Sequence, residues 1–286
     1  MERELNFVGN SPLLYLIATP IGNLSEFSPR AIEIIGEADY VACEDTRNSA
    51  SLLSHYGLKK PTISCHEHNE EEAATQIISL LKEGKKVVYM SDAGYPGISD
   101  PGERLVKRAT KEGIKVSVVS GPSAFIAALV ISGLPTSHFH FEGFLPVKEN
   151  EKVARLNYLA KNEDTLIFYE APHRITKTLI TMAATLGDRQ ATLTRELTKA
   201  HEEVIRGSLA ELALLNEDTL KGEMVIVVEG NKAKTEIDDQ TIAFALKDQL
   251  EYGRKGKEAV LAVSEALQVK KNRVYEIYLK TFGKGN

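Results

Sequence analysis

The sequence lacks the features that mark membrane, exported and disulfide-stabilised proteins. Its longest apolar runs, such as 124–131, fall far short of the roughly 20 residues that cross a bilayer. Only two cysteines are present, Cys43 and Cys65, and neither belongs to a CxxC pair, which argues against a disulfide framework. The first ten residues contain no basic stretch followed by an apolar one. We therefore expect no export signal and a cytoplasmic protein with no membrane partner.

Motifs of several common enzyme classes are also missing. No GxGxxG follows the first predicted strand, and GxxxxGK[ST], GxSxG and HExxH do not occur. These absences disfavour a Rossmann nucleotide site, a P-loop, a serine hydrolase and a zinc protease. His66 and His68 are two residues apart and could bind a metal, but neither cysteine is spaced to complete a ligand set. We therefore expect no metal.

The composition is that of an ordinary globular protein. At 286 residues, with 43% hydrophobic and 26% charged residues, the chain is long enough for two domains. Its net charge of −5 is uneven, because the segment from Arg254 to the end carries eight basic residues against three glutamates, or +5, and leaves −10 for the rest. A basic terminal segment favours a polyanionic partner, although a lysine-rich solvated helix face explains the same charge.

Hydrophobic periodicity predicts an α/β protein. Over 13–119, short apolar runs alternate with amphipathic stretches, as in βα units with a largely parallel sheet. A second round starts near Ser123, and a loop rich in His and Phe follows its first helix. A polar linker over 231–240 then precedes two or three helices. The predicted domains are an N-terminal α/β domain (1–122), a second α/β domain (123–232) and a basic helical C-terminal module (233–286).

Glycine and proline concentrate where the predicted strands end. The longest such segment, Ser91–Gly102, follows a strand and precedes a helix, so it lies at the carboxyl edge of the sheet, where open α/β folds bind ligands. Similar turns follow three other strands, at 19–24, 120–124 and 169–174. Each turn alone could be purely structural, but together they predict one ligand cleft.

Polar clusters at 44–47, 66–69 and 194–199 have no evident structural role and are candidates for chemistry. Basic residues in and near these clusters could bind phosphate, with exposed salt bridges as the alternative. They are Arg47, Arg174, Arg195 and Lys199.

Eight motifs carry a more specific signal. They are ATPIGNL (18–24), EDTR (44–47), HEHN (66–69), SDAG (91–94) with DPG (100–102), EGFLP (142–146), FYEAPHR (168–174), RELTK (195–199) and KGEM (221–224). In this order they resemble the tetrapyrrole methylase superfamily of S-adenosylmethionine-dependent methyltransferases, over essentially the whole chain. Within that superfamily they are most similar to the branch that acts on ribosomal RNA.

The resemblance implies a class III methyltransferase fold, with two α/β domains, the donor S-adenosylmethionine in the cleft between them, and a small C-terminal helical module. It also implies a homodimer that methylates the ribose 2'-hydroxyl of a cytidine in 16S rRNA, at the decoding centre of the 30S subunit, with no role for DNA. The residues implied to contact the donor are Pro20, Asp92, Ala93, Gly94, Ile98, Ser99, Ser123 and Ala124 from the first domain, and Tyr169, Leu197 and Met224 from the second.

The resemblance does not identify the group that removes the hydroxyl proton. A carboxylate or a neutral histidine could accept it, whereas arginine or lysine would stabilise the alkoxide or hold a phosphate. The candidates for this catalytic role are Glu44, Glu170, His173, Arg174 and Lys199.

The basic C-terminal segment resembles a helix-turn-helix, with helices over 257–267 and 272–282. Cations at the start of its second helix oppose the helix dipole, which a bound phosphate would compensate; a small structural helical pair is the alternative. The predicted RNA-binding residues are Arg47, Arg195, Lys270, Lys271 and Arg273.

Two other functions are consistent with the motifs. A tetrapyrrole C-methyltransferase would share the fold and the donor, but that branch usually has a Gly-x-Gly-Pro-Gly-Asp loop where this chain has Thr19–Asn23. An inert RNA-binding assembly factor would keep the fold without the chemistry, and donor binding distinguishes it.

Overall fold

The computed structural model describes residues 5–6, 13–232, 238–267 and 269–283. The chain divides into two compact units, 1–231 and 232–286. Most of the N-terminal segment examined for an export signal, and residues 233–237 of the predicted linker, lie outside the described residues.

The first half of the larger unit is a parallel five-stranded sheet in the order β3-β2-β4-β1-β5. Its strands are β1 (Leu14–Ile17), β2 (Tyr40–Cys43), β3 (Thr62–Ser64), β4 (Val87–Met90) and β5 (Val116–Val119). The helices between them are α1 (Pro29–Glu37), α2 (Thr46–His55), α3 (Glu70–Lys82) and α4 (Glu103–Lys111).

Both faces of this sheet are covered, which explains its continuous apolar strands. Ile35 of α1 and Leu53 of α2 are buried against one face. Ile77 of α3 and Leu105 of α4 are fully buried against the other. The predicted βα alternation over 13–119 is confirmed.

The connections of β1 and β4, which are neighbours, leave in opposite directions. β1 leads through α1 to β2, on the far side of β4, whereas β4 leads through α4 to β5, on the far side of β1. Such a reversal opens a crevice at the carboxyl ends of the two strands, where open α/β sheets bind ligands.

Helix α2 explains one of the polar clusters. Asp45 is its N-cap, and its side chain accepts a hydrogen bond from the backbone N–H of Arg47 at 2.8 Å. For Asp45, the interpretation of 44–47 as a cluster without a structural role was therefore wrong, because this side chain satisfies an N–H that the helix start leaves unpaired.

The second half contains a mixed sheet in the order β6-β7-β10-β8-β9, parallel only between β6 and β7. Its strands are β6 (Phe139–Phe144), β7 (Thr165–Glu170), β8 (Gln190–Arg195), β9 (Glu203–Ser208) and β10 (Met224–Val228). The predicted loop rich in His and Phe is wrong, because it contains β6, whose register shifts at a bulge between Phe141 and Gly143.

Helices again cover both faces of this sheet. They are α5 (Ala124–Ser132), α6 (Glu149–Leu159), α7 (Ile175–Leu186) and α8 (Leu209–Leu212). Leu156 of α6 and Leu179 of α7 are fully buried with Phe168 of β7 on one face. On the other, Ala128 of α5 packs with Val227 of β10. The second sheet thus has its own core.

The smaller unit consists, within its described residues, of three helices: α9 (Asp239–Glu251), α10 (Gly256–Ala266) and α11 (Lys271–Phe282). Ile242, Val260 and Val274, one from each helix, meet in its core. The predicted helical pair is confirmed within one residue at each end, and Gln268 of its turn lies outside the described residues. In the described part of the chain, no helix is both long and apolar enough to span a membrane.

Candidate functional site

A cavity of about 600 Å³ lies between the two sheets of the larger unit. On one side it is lined by the segments that follow β1, β4 and β5, and on the other by residues at the ends of β6, β7, β8 and the start of β10. This volume is within the range of small-molecule sites, about 300–1,000 Å³. The crevice at the strand reversal is therefore a preformed pocket, which we call the main cavity.

Most residues predicted to contact the donor line the main cavity. They are Ala93, Gly94, Ile98, Ser99, Ser123, Ala124, Tyr169, Leu197 and Met224. Pro20 and Asp92 instead line a separate cavity of about 320 Å³, which we call the second cavity.

The main cavity also has lining residues that the sequence prediction missed, including Tyr95, Phe144 and Glu223. Phe144 belongs to the EGFLP motif, whose glycine allows the bulge in β6. Gly143 has φ +74, and a Cβ at this position would lie 3.3 Å from the Ser99 Oγ. The motif signalled the position, but only the fold shows that Phe144 reaches the cavity.

Asp100 is a lining residue whose carboxyl pKa is strongly perturbed. Burial, together with the negative charges of Glu44 and Asp92, raises its pKa from 3.8 to about 6. The same causes act on Glu44, where burial and Asp92 raise the pKa, but Glu44 does not line the main cavity. Asp100 is thus poised to exchange a proton near neutral pH.

Lys199 lines the main cavity and is held by two carboxylates. Its Nζ lies 3.0 Å from Glu196 Oε1 and 2.9 Å from Glu223 Oε2. Burial opposes the charge, but the hydrogen bonds to Glu223 and Glu196 outweigh it and raise the pKa of Lys199. Its side chain also packs on Gly22, in the segment after β1. Lys199 therefore ties the two halves together above the cavity as a cation, which cannot accept a proton.

Glu170 lines the cavity, but its carboxylate is engaged on all sides. It accepts hydrogen bonds from Thr178 Oγ1 at 2.6 Å and from the backbone N–H of Ala171 at 2.9 Å, and it lies 3.1 Å from Arg174 Nε. Arg174 in turn donates to the Leu145 carbonyl at 2.8 Å. These contacts favour a positioning role for Glu170 and Arg174, which fix the end of β7 to the EGFLP segment.

The other predicted catalytic and RNA-binding residues of the larger unit lie outside the main cavity lining. His173 is exposed. Arg47 is exposed and pairs with Asp45 at 2.9 Å, while Arg195 is paired with Glu203. Exposed Arg47 remains accessible to a phosphate, whereas Arg195 would first have to exchange its carboxylate partner.

In the smaller unit, the predicted RNA-binding residues cluster at the start of α11. Lys270 and Lys271 are exposed, and Arg273 pairs with Asp239 of α9 at 2.9 Å. The three side chains thus occupy the N-terminal turn of one helix, as predicted, and RNA binding there stays a prediction.

His66 and His68 lie with ring centroids 6.0 Å apart. Among the described residues, no group of three or more His, Cys, Asp or Glu is arranged to hold a metal ion. The histidine pair thus gives no support to a metal site.

Comparison with known proteins identifies the relatives of this architecture. The sequence pattern of the family described as Tetrapyrrole (Corrin/Porphyrin) Methylases matches residues 13–213. The chain belongs to the tetrapyrrole methylase family. Relatives named Ribosomal RNA small subunit methyltransferase I include one from Bacillus subtilis, 41% identical over 97% of this chain and 98% of its own, and one from Pasteurella multocida, 42% identical over 94% and 98%.

Solved structures of tetrapyrrole methylases and related enzymes share the fold. The methyltransferase CobJ matches with a TM-score of 0.59 and 20% identity, over 77% of this chain and 95% of its own. Diphthine synthase matches with a TM-score of 0.59 and 16% identity, over 76% and 89%. At these identities the likeness concerns the fold alone.

The main cavity suits the methyl donor of tetrapyrrole methylases, S-adenosylmethionine. Ile98, Leu197 and Met224 give it apolar walls for an adenine ring. The Ser99 hydroxyl and the Glu223 carboxylate could receive ribose hydroxyls or the ammonium group. The residues present therefore fit a molecule with one flat apolar end and one cationic end.

Proposed function

We propose that this protein transfers a methyl group from S-adenosylmethionine to small-subunit ribosomal RNA, and that the acceptor is the ribose 2'-hydroxyl of a cytidine in 16S rRNA at the decoding centre. The observation that carries the proposal is the near full-length similarity to enzymes named for small-subunit rRNA methylation. The preformed main cavity, lined by residues of the family motifs, supports it.

When bound, the donor supplies a methyl group on a sulfonium, which is already a good leaving group. What the protein adds is alignment and removal of the hydroxyl proton. We infer that Asp100 accepts this proton, because it lines the main cavity and its pKa of about 6 keeps it ionised, yet basic enough, at neutral pH. Lys199 and Arg174 would hold the surroundings in place rather than take the proton.

The proposal includes a homodimer that acts in the cytoplasm on the 30S subunit. Support for a partner copy comes from exposed apolar side chains on β5, an edge strand, and on α5. Val118, Ile126 and Val130 are 54%, 40% and 67% exposed. Burying such side chains against a second copy would remove apolar surface from water.

In this proposal the domains are 1–122, 123–232 and 233–286, with the donor bound between the first two and the helical module adding affinity for RNA. Phosphate contacts by Lys270 and Lys271 would make binding fall as salt rises.

The decisive experiment measures label transfer from S-adenosylmethionine to purified 30S subunits and to free 16S rRNA from a strain lacking the enzyme, followed by digestion to nucleosides. Label in 2'-O-methylcytidine would support the proposal and identify the assembly state that is recognised. Donor binding without label transfer would contradict it and favour a tetrapyrrole substrate, whereas no donor binding would favour an inert RNA-binding factor.

A further inference from the structure

The second cavity lies at the carboxyl edge of the first sheet, directly beside the main cavity. One wall is a face of α2, where Asn48, Ser51, Leu52 and His55 follow the spacing of one helix face. The opposite wall is the segment 20–24, and Ser91 and Asp92 form its floor.

The walls of the second cavity are fixed by direct contacts. At one end, Asn48 Nδ2 donates to Asp92 Oδ2 at 2.7 Å. At the other, the hydroxyl of Tyr56, just after α2, donates to the carbonyl of Leu24. Because these contacts fix both ends, the cavity is preformed, which lowers the free-energy cost of binding a ligand.

The two cavities share a wall. Thr19 and Gly94 pair through two backbone hydrogen bonds, of 2.9 and 3.1 Å, and join the segments after β1 and β4. Along the first segment, Pro20 lines the second cavity and Ile21 the main one. A ligand in the second cavity would therefore lie next to the donor pocket.

The lining chemistry indicates the kind of ligand. Among the described residues that line the second cavity there is no lysine or arginine, which disfavours a phosphate there. An amide, hydroxyls, an imidazole and a carboxylate instead suit the edge of a base and a ribose, and Leu24 and Leu52 offer apolar contact to a base face. The Asp92 carboxylate accepts hydrogen bonds from Asn48 Nδ2 and from the backbone N–H of Asp45. Its remaining lone pairs favour the 4-amine of cytosine over the 4-carbonyl of uracil, which is itself an acceptor.

We propose that the second cavity binds the base of the acceptor nucleotide of the RNA substrate, unstacked from its neighbours, and that Asp92 accepts a hydrogen bond from the amine of that base. The ribose then has to reach past the Thr19–Gly94 pairing to the donor and to Asp100 in the main cavity. This inference rests on the proposed function and adds a location and a basis for selecting cytidine over uridine. Single-stranded or splayed-out bases are what RNA-binding proteins usually read, because their edges are then accessible.

The test fills the second cavity from α2. Ser51→Tyr places a ring in it, and Ser54→Tyr places the same ring on an exposed residue of the same helix outside the lining. Both variants, with the wild type, are assayed for methyl transfer to 30S subunits lacking the modification, and for donor affinity by calorimetry. We expect Ser51→Tyr to raise KM for 30S about tenfold or more, with an unchanged donor Kd, and Ser54→Tyr to resemble the wild type.

Each outcome has a defined meaning. An unchanged KM in Ser51→Tyr, or the same increase in both variants, would overturn the inference. Loss of donor binding in Ser51→Tyr would also overturn it, because the cavity would then belong to the donor site. Failure of the wild type to methylate 30S would instead contradict the proposed function.

A second variant tests the role of Asp92. The ratio of methylation rates for 30S carrying cytidine or uridine at the acceptor position is measured with the wild type and with Asp92→Asn. Since one enzyme acts on both substrates, changes in folding or donor affinity cancel in this ratio. We expect the preference for cytidine to fall about tenfold in Asp92→Asn; an unchanged ratio would show that Asp92 does not read the base.

Discussion

Replacing Asp100 by asparagine should raise the free energy of unfolding and slow methyl transfer. The difference between a pKa of 3.8 in the unfolded chain and about 6 in the fold corresponds to about 3 kcal/mol. Because Asp100 is partly exposed, we expect about 1–2 kcal/mol of this to be recovered in Asp100→Asn.

The size of this stability difference depends on pH. A raised carboxyl pKa means that the fold favours the protonated form, so its contribution to stability is present below about pH 4 and is lost as pH rises through 6. Asp100→Asn should therefore resemble the wild type near pH 4 and be more stable at pH 8. If Asp100 accepts the hydroxyl proton, kcat should also fall about 100-fold, and the wild-type rate should decline below pH 6.

Urea unfolding of the two proteins at pH 4 and pH 8 measures the effect, with donor affinity as a check that the cavity is intact. Asp188→Asn is the matched control of opposite sign, because the side chain of Ser208 and the backbone N–H of Ala210 hold the pKa of Asp188 below its usual range. It should lose stability at pH 8 and not at low pH. Equal destabilisation by Asp100→Asn at both pH values would refute the burial argument.

Three further changes probe the surroundings of the cavity and the helical unit. Glu170→Ala should lower the free energy of unfolding by about 3 kcal/mol, because it removes the buried ion-pair partner of Arg174. Urea titration measures this loss. Gly22→Ala should weaken donor binding in calorimetry, because its Cβ would lie 2.5 Å from Lys199 Cγ at φ +141. Lys270→Ala with Lys271→Ala should reduce the slope of log affinity for RNA against log salt by up to about two.

Each of these changes has an internal control. Glu170→Gln keeps the shape and should lose less stability than Glu170→Ala; equal losses would argue against the ion pair. Adding Lys199→Ala to Gly22→Ala should restore part of the donor affinity, since the clash is then gone, and strictly additive effects would contradict the contact. An unchanged salt slope in the lysine variant would leave the helical unit without a role in phosphate binding.

The elements that the sequence predicted well are those with strong periodicity. The two C-terminal helices, predicted over 257–267 and 272–282, have their ends within one residue of the prediction. β6 and β9 were missed for identifiable reasons: β6 is interrupted by a bulge at Gly143, and β9 is an edge strand that is mostly half-exposed and lacks a clear alternation. Tertiary pairing, not local pattern, makes these two segments strands.

The site was predicted in outline because its geometry follows from topology. In a parallel sheet, the carboxyl ends of all strands meet at one edge, so turns rich in Gly and Pro after successive strands must lie together. Topology does not show which cavity each residue of these turns lines. The motif resemblance assigned Asp92, Ala93 and Gly94 to the donor together, yet Asp92 lines the second cavity and Gly94 the main one.

A second division, between Pro20 and Ile21, follows from the backbone pairing of Thr19 with Gly94. The pairing makes the segment after β1 part of the wall between the cavities, and Pro20, Ile21 and Gly22 alternate between its two sides, as residues do along a strand. A one-residue change in this register would exchange the sides, so local sequence alone could not assign them. The wall separates the proposed site of the acceptor base from the donor pocket, and the acceptor ribose has to reach past it, because methyl transfer requires the attacking oxygen and the methyl carbon to be in direct contact.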